Sequence, residues 1–333
     1  MVGISVDISE LEVNHDARLR EFFDVEQAAQ HADRTDPLLR PFAQLEQSVR
    51  RPGTYYGRTL VAATEDDRIV GVGELSFSFR ENLHLAGLEV NVLPMARRRG
   101  VGRALLADLL ERGRALGRTT YVAEVHQPVV DRQSPGSAFA RALGFEVAHR
   151  EGHLVLDLPV SADVLPDDVP DGYDVVTWTG RCPDDLVEQY AALLTQMRRD
   201  VPSGEVDAEP EVVDVDRVRS GEQRNAAAYD QVVAAVRRRA DGRLGGYSLV
   251  YLAHDADTVL QDDTFVLSDH RGQGLGVVLK AAVLRLLEHE RPERRTVHTW
   301  NALDNAPMQA VNRRLGYRPV EVLLEMQRQD ADA

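Results

Sequence analysis

Two short segments of the chain combine arginine with closely spaced glycine, a composition that suits phosphate binding. They are Arg97–Gly102, which reads Arg-Arg-Arg-Gly-Val-Gly, and Arg271–Gly276, which reads Arg-Gly-Gln-Gly-Leu-Gly. Glycine lets a phosphate approach the backbone where a Cβ would collide, and arginine adds positive charge. An amphipathic run follows each segment, which predicts a helix whose first turn presents free N–H groups at the positive end of its dipole. The two segments therefore predict two pyrophosphate-binding turns.

Other phosphate-binding loops fit these segments poorly. A P-loop requires Gly-Lys-Ser/Thr, but Arg103 follows Gly102 and Val277 follows Gly276. A dinucleotide fingerprint places its glycines early in a βαβ unit, whereas about three strands are predicted before each segment here. Neither a P-loop nor a dinucleotide site is expected.

The two turns belong to a longer internal repeat. Two Leu-Gly-Phe/Tyr segments, Leu143–Phe145 and Leu315–Tyr317, are separated by almost the same length of chain as the two turns. The arginines of an upstream hairpin turn, Arg68 and Arg243, have nearly this separation as well. Because three landmarks recur in one order at nearly one offset, they predict a duplicated domain.

Each repeat has the same predicted order of elements, and this order predicts the fold class. Two helices come first, then a strand hairpin and a third strand, then the glycine-rich turn with a long helix, and last a strand, a helix and a strand. We expect a mixed α/β chain with two tandem domains at 1–160 and 172–333. A linker at 161–171, rich in proline and aspartate, is predicted between them. A second break at Asp200–Glu211 is predicted to be a long loop inside the C-terminal domain.

The composition excludes several classes of protein. The 333 residues carry 54 acidic and 39 basic side chains, a net charge of −15, so nucleic acid is not an expected partner. Cys182 is the only cysteine, which excludes an intrachain disulfide and a cysteine metal cluster. No run approaches the roughly 18 apolar residues of a membrane span, and no leader pattern is recognised. A cytoplasmic location without membrane or nucleic-acid partners is therefore expected.

The combined pattern resembles the GNAT acyltransferase superfamily. An Arg/Gln-x-x-Gly-x-Gly/Ala turn follows a strand, and Leu-Gly-Phe/Tyr follows some forty residues later, with Gly144 after Gly100 and Gly316 after Gly274. The resemblance covers the second half of each domain. It implies an α+β mixed sheet whose central strands splay apart to bind acyl-CoA, with acetyl-CoA as cosubstrate and no metal. The chain is also similar in architecture to tandem members such as mycothiol synthase, whose C-terminal copy is the catalytic one.

The resemblance implies which residues hold acetyl-CoA. Pantetheine would pair with the strand before each turn, and the pyrophosphate would lie on the turn and the start of the helix. In the N-terminal domain these residues are Val90, Asn91, Val92, Arg97, Arg98, Arg99, Gly100, Val101, Gly102 and Arg103. In the C-terminal domain they are Thr264, Phe265, Val266, Arg271, Gly272, Gln273, Gly274, Leu275, Gly276, Val277 and Asn305. For Asn305 and the nearby Asn301, capping of the next helix is an equal alternative.

The catalytic groups are predicted less directly. Many members of the family protonate the departing thiolate with a Tyr four residues before the Gly of Leu-Gly-Phe/Tyr, but this chain has Ala140 and Asn312 there. The acid is therefore unassigned, Asn312 remains a candidate to hydrogen-bond near the sulfur, and the N-terminal domain is permitted to be inactive.

Asp262 and Asp263, just before the pantetheine strand, are the candidate bases, and Glu89 lies next to that strand in the first copy. Strand alternation puts Asp262 and Asp263 on opposite faces, so at most one is expected to point into the cleft. The alternative is a pair of solvated strand-end carboxylates. Glu74 and His254 are weaker candidates, and His298, on a short predicted strand, is expected to be a packed core histidine more often than a catalyst.

These observations lead to one principal functional hypothesis and two alternatives. The principal hypothesis is N-acetylation of a small-molecule amine by direct transfer in a ternary complex, with the C-terminal domain catalytic. The first alternative is a regulatory module that binds acetyl-CoA without turnover. The second is a protein N-acetyltransferase. No motif identifies the acceptor or the oligomeric state.

Overall fold

The computed structural model describes residues 6–51, 53–130, 133–166, 168–201 and 204–330. The chain divides into two compact units. Unit 1 comprises Met1–Arg150, Ser203–Glu209 and Glu321–Ala333, and unit 2 comprises Glu151–Pro202 and Pro210–Val320. No helix of the described residues is long and apolar enough to cross a membrane.

The elements of the first half follow the predicted order except for an additional first strand, β1, which was not predicted and has its counterpart, β7, in the second half. Their bounds are β1 Asp7–Glu10, α1 Asp16–Asp33, α2 Phe42–Arg50, β2 Tyr56–Glu65, β3 Arg68–Ser78, β4 Leu85–Val92, α3 Val101–Ala115, β5 Thr120–Pro128, α4 Pro135–Ala142 and β6 Glu146–Asp157. The second half repeats this series. Its bounds are β7 Tyr173–Thr179, α5 Val187–Asp200, α6 Val215–Asn225, β8 Tyr229–Arg238, β9 Leu244–Ala253, β10 Thr258–Val266, α7 Leu275–Glu290, β11 Thr296–Ala302, α8 Ala306–Leu315 and β12 Arg318–Gln329.

Each unit contains a mixed sheet with helices on both faces, as predicted. In unit 1, β1 and β2, β2 and β3, and β3 and β4 form antiparallel pairs, whereas β4 and β5 form a parallel pair. The end of β12 pairs antiparallel with β5. In unit 2, strands β7 to β10 are antiparallel, β10 and β11 are parallel, and the end of β6 pairs antiparallel with β11. The only parallel pair in each described sheet is thus the pair whose first strand precedes the glycine-rich turn.

Apolar side chains form a separate core on each face of each sheet. In unit 1, α1 and α2 cover one face around Leu19 and Leu45, and α3 covers the other around Leu105 and Leu109. In unit 2, α5 covers one face and α7 the other. Burial of these side chains contributes roughly 25 cal/mol per Å² of apolar surface, so the helices that carry the turns are held firmly against their sheets.

The compact units group some residues differently from the predicted domain ranges. Glu151–Asp157, inside the range predicted for the N-terminal domain, pairs with β11 and belongs to unit 2. Glu321–Gln329, inside the C-terminal range, pairs with β5 and belongs to unit 1. Backbone hydrogen bonding to a neighbouring strand, rather than sequence position, decides which unit each of these strands completes.

The predicted loop at Asp200–Glu211 also contributes to both units. Its Ser203–Glu209 segment belongs to unit 1, where the Asn82 side chain donates to the carbonyl oxygen of Glu209 at 3.0 Å and the Glu205 N–H donates to the carbonyl oxygen of Ala148 at 2.9 Å. Pro202, which helped to predict this break, lies outside the described residues.

Candidate functional site

The parallel strands of each unit separate part of the way along, which leaves one backbone edge open. In unit 2, β10 pairs with β11 only over Thr258–Leu260. Thr264, Phe265 and Val266 pair with β9 on one side, and no described strand pairs with their other side. Such an edge can accept an extended ligand as an added strand. The predicted pantetheine contacts require this arrangement.

Unit 1 has the same opening. Strand β4 pairs with β5 only over Leu85–Leu88. Val90, Asn91 and Val92 pair with β3 alone among the described strands. Both units therefore present the strand edge that an acyl-CoA arm would need.

The glycine-rich turns have matching backbone conformations in the two units. Gly100 and Gly274, directly before α3 and α7, have φ of 93° and 77°. Two residues earlier, Arg98 and Gly272 also lie in the left-handed region, with φ of 64° and 81°. A residue with a Cβ is disfavoured there, which explains the glycines better than packing does, since a Cβ at Gly100, Gly272 or Gly274 would meet nothing within 4 Å.

The helices that follow these turns begin without a side-chain cap. No side chain accepts a hydrogen bond from the first-turn N–H groups of α3 or α7, whose first residues include Val101 and Arg103 in α3, and Leu275 and Val277 in α7. Free N–H groups at a helix start attract an anion. The two helix starts therefore have the free N–H groups that a pyrophosphate site requires.

The second glycine of each turn differs between the units. A Cβ at Gly102 would lie 3.3 Å from the ring of Phe139, so this glycine permits close packing of α4 against α3. A Cβ at Gly276 would meet only Val311, at 4.0 Å. The prediction that Gly102 makes room for a phosphate therefore has a competing packing explanation, whereas the space at Gly276 is open.

The first arginine of each motif supports the end of the preceding strand. Arg97 donates through Nε to the carbonyl oxygen of Val92 at 2.8 Å and pairs with Asp33 at 2.7 Å. Arg271 donates to the carbonyl oxygen of Val266 at 2.9 Å and pairs with Asp200 at 2.8 Å. These contacts give both guanidinium groups a structural role that the prediction of phosphate contact did not include.

The remaining polar residues of the turns have different partners. Arg99 pairs with Glu65, and the Gln273 side chain donates to the Tyr173 hydroxyl at 3.2 Å. Arg98 and Arg103 are exposed beside the first turn. Asn305 is the N-cap of α8, and its side chain accepts from the Met308 N–H at 3.2 Å. Of the two explanations proposed for Asn305, the structure contains the cap.

The candidate bases Asp262 and Asp263 lie in a β-bulge. Gln261 is opposite Val250 and Thr264 is opposite Ser248, so two residues of β10 face the single residue Leu249 of β9. A bulge of this kind breaks strand alternation and redirects side chains. Strand alternation, on which the prediction of opposite faces for the two aspartates rests, therefore does not hold at this position.

Both carboxylates interact with the same groups on the α5 side of the sheet. The Tyr247 hydroxyl donates to Asp263 at 3.1 Å. The charges of Asp262 and Asp263 both act on the guanidinium group of Arg198, at the end of α5, and on the Tyr251 hydroxyl. The Asp262 side chain is exposed to solvent, and desolvation by the protein atoms packed around its carboxylate, followed by the charge of Asp263, raises the pKa of Asp262 to about 8. An aspartate with such a pKa can accept a proton near neutral pH.

Asn312 lies in a polar network that sequence reasoning did not detect. Its Oδ1 accepts a hydrogen bond from Lys280 Nζ at 2.9 Å, and its Nδ2 donates to Asn301 Oδ1. Lys280 and Asn312 are each 1% exposed, whereas Asn301 is partly exposed on β11 beyond the point where β10 and β11 separate. The side-chain amides of Asn312 and Asn301 thus connect the buried Lys280 ammonium group to the open strand edge by hydrogen bonds.

The corresponding region of unit 1 contains its own cation. Strand β4 has no bulge there, and Glu89 lies directly opposite Glu74 on β3. Arg40 pairs with Glu74 at 2.8 Å and with Glu26 at 2.9 Å. Burial raises the pKa of Glu89, with a further contribution from the Glu74 charge, and raises the pKa of Glu26 to about 7. Glu26 and Arg40 were not predicted, because nothing in their sequence neighbourhood distinguishes them from surface charges.

The weaker candidates have structural partners. His298 is 1% exposed and its Nδ1 lies 3.0 Å from Nε2 of His153, which matches the packed core histidine expected on a short strand. His254 is exposed and lies 3.4 Å from Asp230. No group of three or more histidine, cysteine, aspartate or glutamate side chains in the described ranges could hold a metal ion.

Comparison with known proteins agrees with the repeated architecture. Residues 17–145 match the model of the acetyltransferase (GNAT) family. A tandem GNAT protein from the clavulanic acid biosynthesis pathway, solved without AcCoA, is 28% identical with a TM-score of 0.85, over 99% of this chain and 100% of that chain. A search of curated proteins gave no match.

Two more distant structures share the fold. A GCN5-related N-acetyltransferase from Sphaerobacter thermophilus has a TM-score of 0.69 at 13% identity, covering 98% of both chains. A glucosamine N-acetyltransferase region of a fungal multi-domain β-N-acetylglucosaminidase has a TM-score of 0.66 at 15% identity, over 98% of this chain and 38% of that one. The first half of the chain thus matches the GNAT acetyltransferase family, and the whole chain is similar to a tandem GNAT protein; together these two findings support an acetyl-CoA-dependent acyltransferase in general.

Proposed function

We propose that the protein transfers the acetyl group of acetyl-CoA directly to the amine of a small molecule, and that unit 2 is the catalytic unit. One observation carries this proposal. In unit 2 an open strand edge, an uncapped helix start and a bulge with two carboxylates of raised pKa occur together, within the single strand-turn-helix segment Thr258–Glu290.

The backbone of unit 2 fits acetyl-CoA as its cosubstrate. The pyrophosphate would be held by the N–H groups that begin α7 and by the left-handed turn at Gly272 and Gly274. The pantetheine arm would pair with the free edge of Thr264–Val266. Backbone groups provide most of these contacts, so the fit depends on the conformation of the turn more than on side-chain identity. The bound cosubstrate supplies an activated thioester.

Asp262 is proposed as the general base for the acceptor amine. An ammonium group must lose a proton before its nitrogen can attack a thioester. Asp262 is accessible to solvent, and its raised pKa places proton acceptance near neutral pH. Asp263 accepts from Tyr247 and adds negative charge beside it. The neighbouring Arg198 guanidinium opposes this effect and limits the rise in the pKa of Asp262.

Unit 1 is proposed to lack turnover. The Arg40 guanidinium already occupies its carboxylate cluster, with side chains of Glu26 and Glu74 that are only 3% and 9% exposed. An external amine would have to displace this internal cation and leave it without a partner, which costs several kcal/mol for a buried charge. The two alternatives, a regulatory acetyl-CoA-binding module and a protein N-acetyltransferase, become outcomes of the test.

The test measures release of CoA thiol from acetyl-CoA when a panel of small amines and lysine-containing peptides is added. We expect small amines to accelerate release, and Asp262→Asn to lower the accelerated rate by about 10²-fold or more. Asp255→Asn, an exposed aspartate in the turn before β10, is the matched control and should leave the rate unchanged. Acceleration by peptides alone would favour the protein acetyltransferase. Binding of acetyl-CoA without any acceleration would favour the regulatory module.

A further inference from the structure

Lys280 is the only lysine in the chain, and it is buried. All other members of the 39 lysine and arginine residues are arginines. The Lys280 side chain lies in α7 and is 1% exposed. Lysine is almost never fully buried unless it is paired, and its compact ammonium group is a point charge, whereas the guanidinium group of arginine is a broad planar fork. A chain that uses arginine everywhere else has therefore kept a lysine at this one position.

No countercharge compensates Lys280 within the described part of the molecule. Nζ donates to the Asn312 amide oxygen at 2.9 Å and lies 5.0 Å from the centre of the Tyr317 ring. Tyr317 is the titratable group in contact with it, and burial raises the pKa of Tyr317, so the ring stays neutral. Burial alone lowers the pKa of Lys280 to about 7, and no carboxylate offsets it. A buried cation without a negatively charged partner favours a ligand that brings negative charge close to it.

The hydrogen bonds connect Lys280 to the opening in the sheet. Asn312 donates in turn to Asn301, which lies on β11 past the last residue paired with β10. A chain of hydrogen bonds that begins at a cation is polarised along its length, so the last amide is a stronger donor than an isolated one. This polarisation extends from Lys280 to Asn301, at the edge of the cleft.

Unit 1 has apolar residues at the matched positions. The offset between the two glycine-rich turns places Leu106 at the position of Lys280, and the offset between the two Leu-Gly segments places Ala140 and Phe145 at those of Asn312 and Tyr317. All three are buried in the core of unit 1. The fold therefore does not need a lysine at this position, which makes a purely structural role for Lys280 a poor explanation.

We propose that Lys280 is a positioning residue for acyl transfer in unit 2, whose ammonium group acts through Asn312 and Asn301 to offset the negative charge left on the CoA sulfur. The inference rests on the proposed function. The amine nitrogen forms the new C–N bond, the C–S bond breaks, and its electron pair stays on sulfur. The ammonium proton passes to Asp262 before attack and is later released to solvent, and the second N–H proton, lost as the amide forms, is balanced by the proton that the thiolate takes up from solvent. Lys280 contributes charge and keeps its own proton.

A single lysine permits a direct test by NMR. Lysine labelled with ¹³C at Cε gives one side-chain signal in the untagged chain, and its pH titration reports the protonation of Lys280 alone. With CoA, whose thiol can ionise, we expect the pKa of Lys280 to lie about one unit or more above its value with acetyl-CoA, which has no thiol proton. Equal pKa values in the two complexes would overturn the proposal. If neither ligand binds, the proposed function itself fails.

Variants provide the second measurement. Lys280→Met keeps the length of the side chain without its charge, and we expect kcat to fall about tenfold or more, with an unchanged KM for acetyl-CoA and a higher Tm. Leu106→Met, at the matched position of unit 1, is the control and should leave kcat unchanged. A Lys280→Met protein with wild-type kcat would overturn the proposal, and so would a lower kcat accompanied by a lower Tm and a higher KM, because that combination indicates a structural lysine. If Lys280→Met does not fold, the NMR titration of the wild-type chain still decides.

Discussion

At the scale of single residues, burial brings the charged groups of unit 2 toward neutral pH from opposite sides. The pKa of Asp262 rises to about 8 and that of Lys280 falls to about 7, chiefly by burial in both cases. Groups of this kind change protonation under the conditions in which an enzyme works. The titration of Asp262 should therefore appear in the pH dependence of the rate, and that of Lys280 in the pH dependence of stability.

The acidic pair predicts how the rate depends on pH. Because Asp262 must be deprotonated to act as the base, kcat/KM in the Lys280→Met background, where no lysine titration overlaps it, is expected to rise with pH with a midpoint near 8. Asp263→Asn removes a neighbouring negative charge, so the midpoint should move to lower pH. A pH–rate profile of both proteins checks this, with Asp255→Asn as control. A midpoint that stays in place in Asp263→Asn would mean that the two carboxylates do not interact.

The buried lysine predicts a stability effect of unusual sign. Lowering its pKa from 10.5 to about 7 corresponds to a penalty of at most about 5 kcal/mol for the charged form, and the unpaired Asn312 oxygen left by Lys280→Met costs about 1–3 kcal/mol. Lys280→Met should therefore stabilise the protein by about 2 kcal/mol at pH 6. The penalty is fully present below pH 7 and disappears as pH rises toward 10.5, so the advantage of the variant should shrink over that range. Denaturant unfolding at several pH values measures it, and a variant less stable at pH 6 contradicts it.

At this scale, the residues that could be predicted from the sequence are those whose type is set by the backbone conformation. Gly100 and Gly274 could be predicted because a left-handed turn before a helix strongly favours glycine. The bulge at Asp262 and Asp263 could not be predicted, because a bulge has no signature in the local pattern of residue types. Lys280 could have been noticed as the single lysine of the chain, but its burial is a property of packing and not of the sequence around it.

At the scale of elements, each glycine-rich turn connects a strand to a helix, and an arginine side chain stabilises this connection. The same two contacts recur: an arginine donates to the carbonyl oxygen at the end of the strand and pairs with the last residue of an earlier helix, Asp33 in α1 or Asp200 in α5. The repeat thus preserves an arginine support as well as a phosphate turn.

The two roles can be separated by mutation. Arg271→Ala should lower the affinity for acetyl-CoA by less than about tenfold, because its guanidinium group contacts the protein, whereas Gly274→Glu should abolish binding in unit 2 by strain and by charge. Calorimetric titration measures both, and Arg97→Ala is the matched variant in unit 1. Equal losses in Arg271→Ala and Gly274→Glu would assign the arginine to the phosphate instead.

At the scale of the whole molecule, each unit is completed by a strand from the other repeat of the sequence. Leu324 and Met326 of β12, at the end of the chain, are fully buried in the core that α3 forms in unit 1. The landmarks of the repeat predicted two domains of the right class. They could not predict this assignment, because β6 and β12 occupy the same place in the two repeats and nothing local says which sheet each one joins.

Because β12 belongs to unit 1, a mutation in this last strand of the sequence is predicted to destabilise unit 1. Met326→Ala should destabilise unit 1 by about 2–5 kcal/mol, because it leaves a cavity in that core. Gln329→Ala, an exposed position on the same strand, is the control and should change stability by less than about 0.5 kcal/mol. Limited proteolysis with mass spectrometry measures the location of the effect. Cleavage that increases only within unit 2, at Glu151–Pro202 or Pro210–Val320, would contradict the assignment.

The most direct test of the central claim compares amine-dependent release of CoA from acetyl-CoA in three proteins: wild type, Gly100→Glu and Gly274→Glu. The two substitutions place the same charge and the same backbone strain at matched turns, so each controls for the other. The account predicts that Gly100→Glu keeps most of the amine-dependent rate and that Gly274→Glu loses it. A wild-type protein that releases no CoA with any amine, or a rate lost in Gly100→Glu and kept in Gly274→Glu, would contradict it.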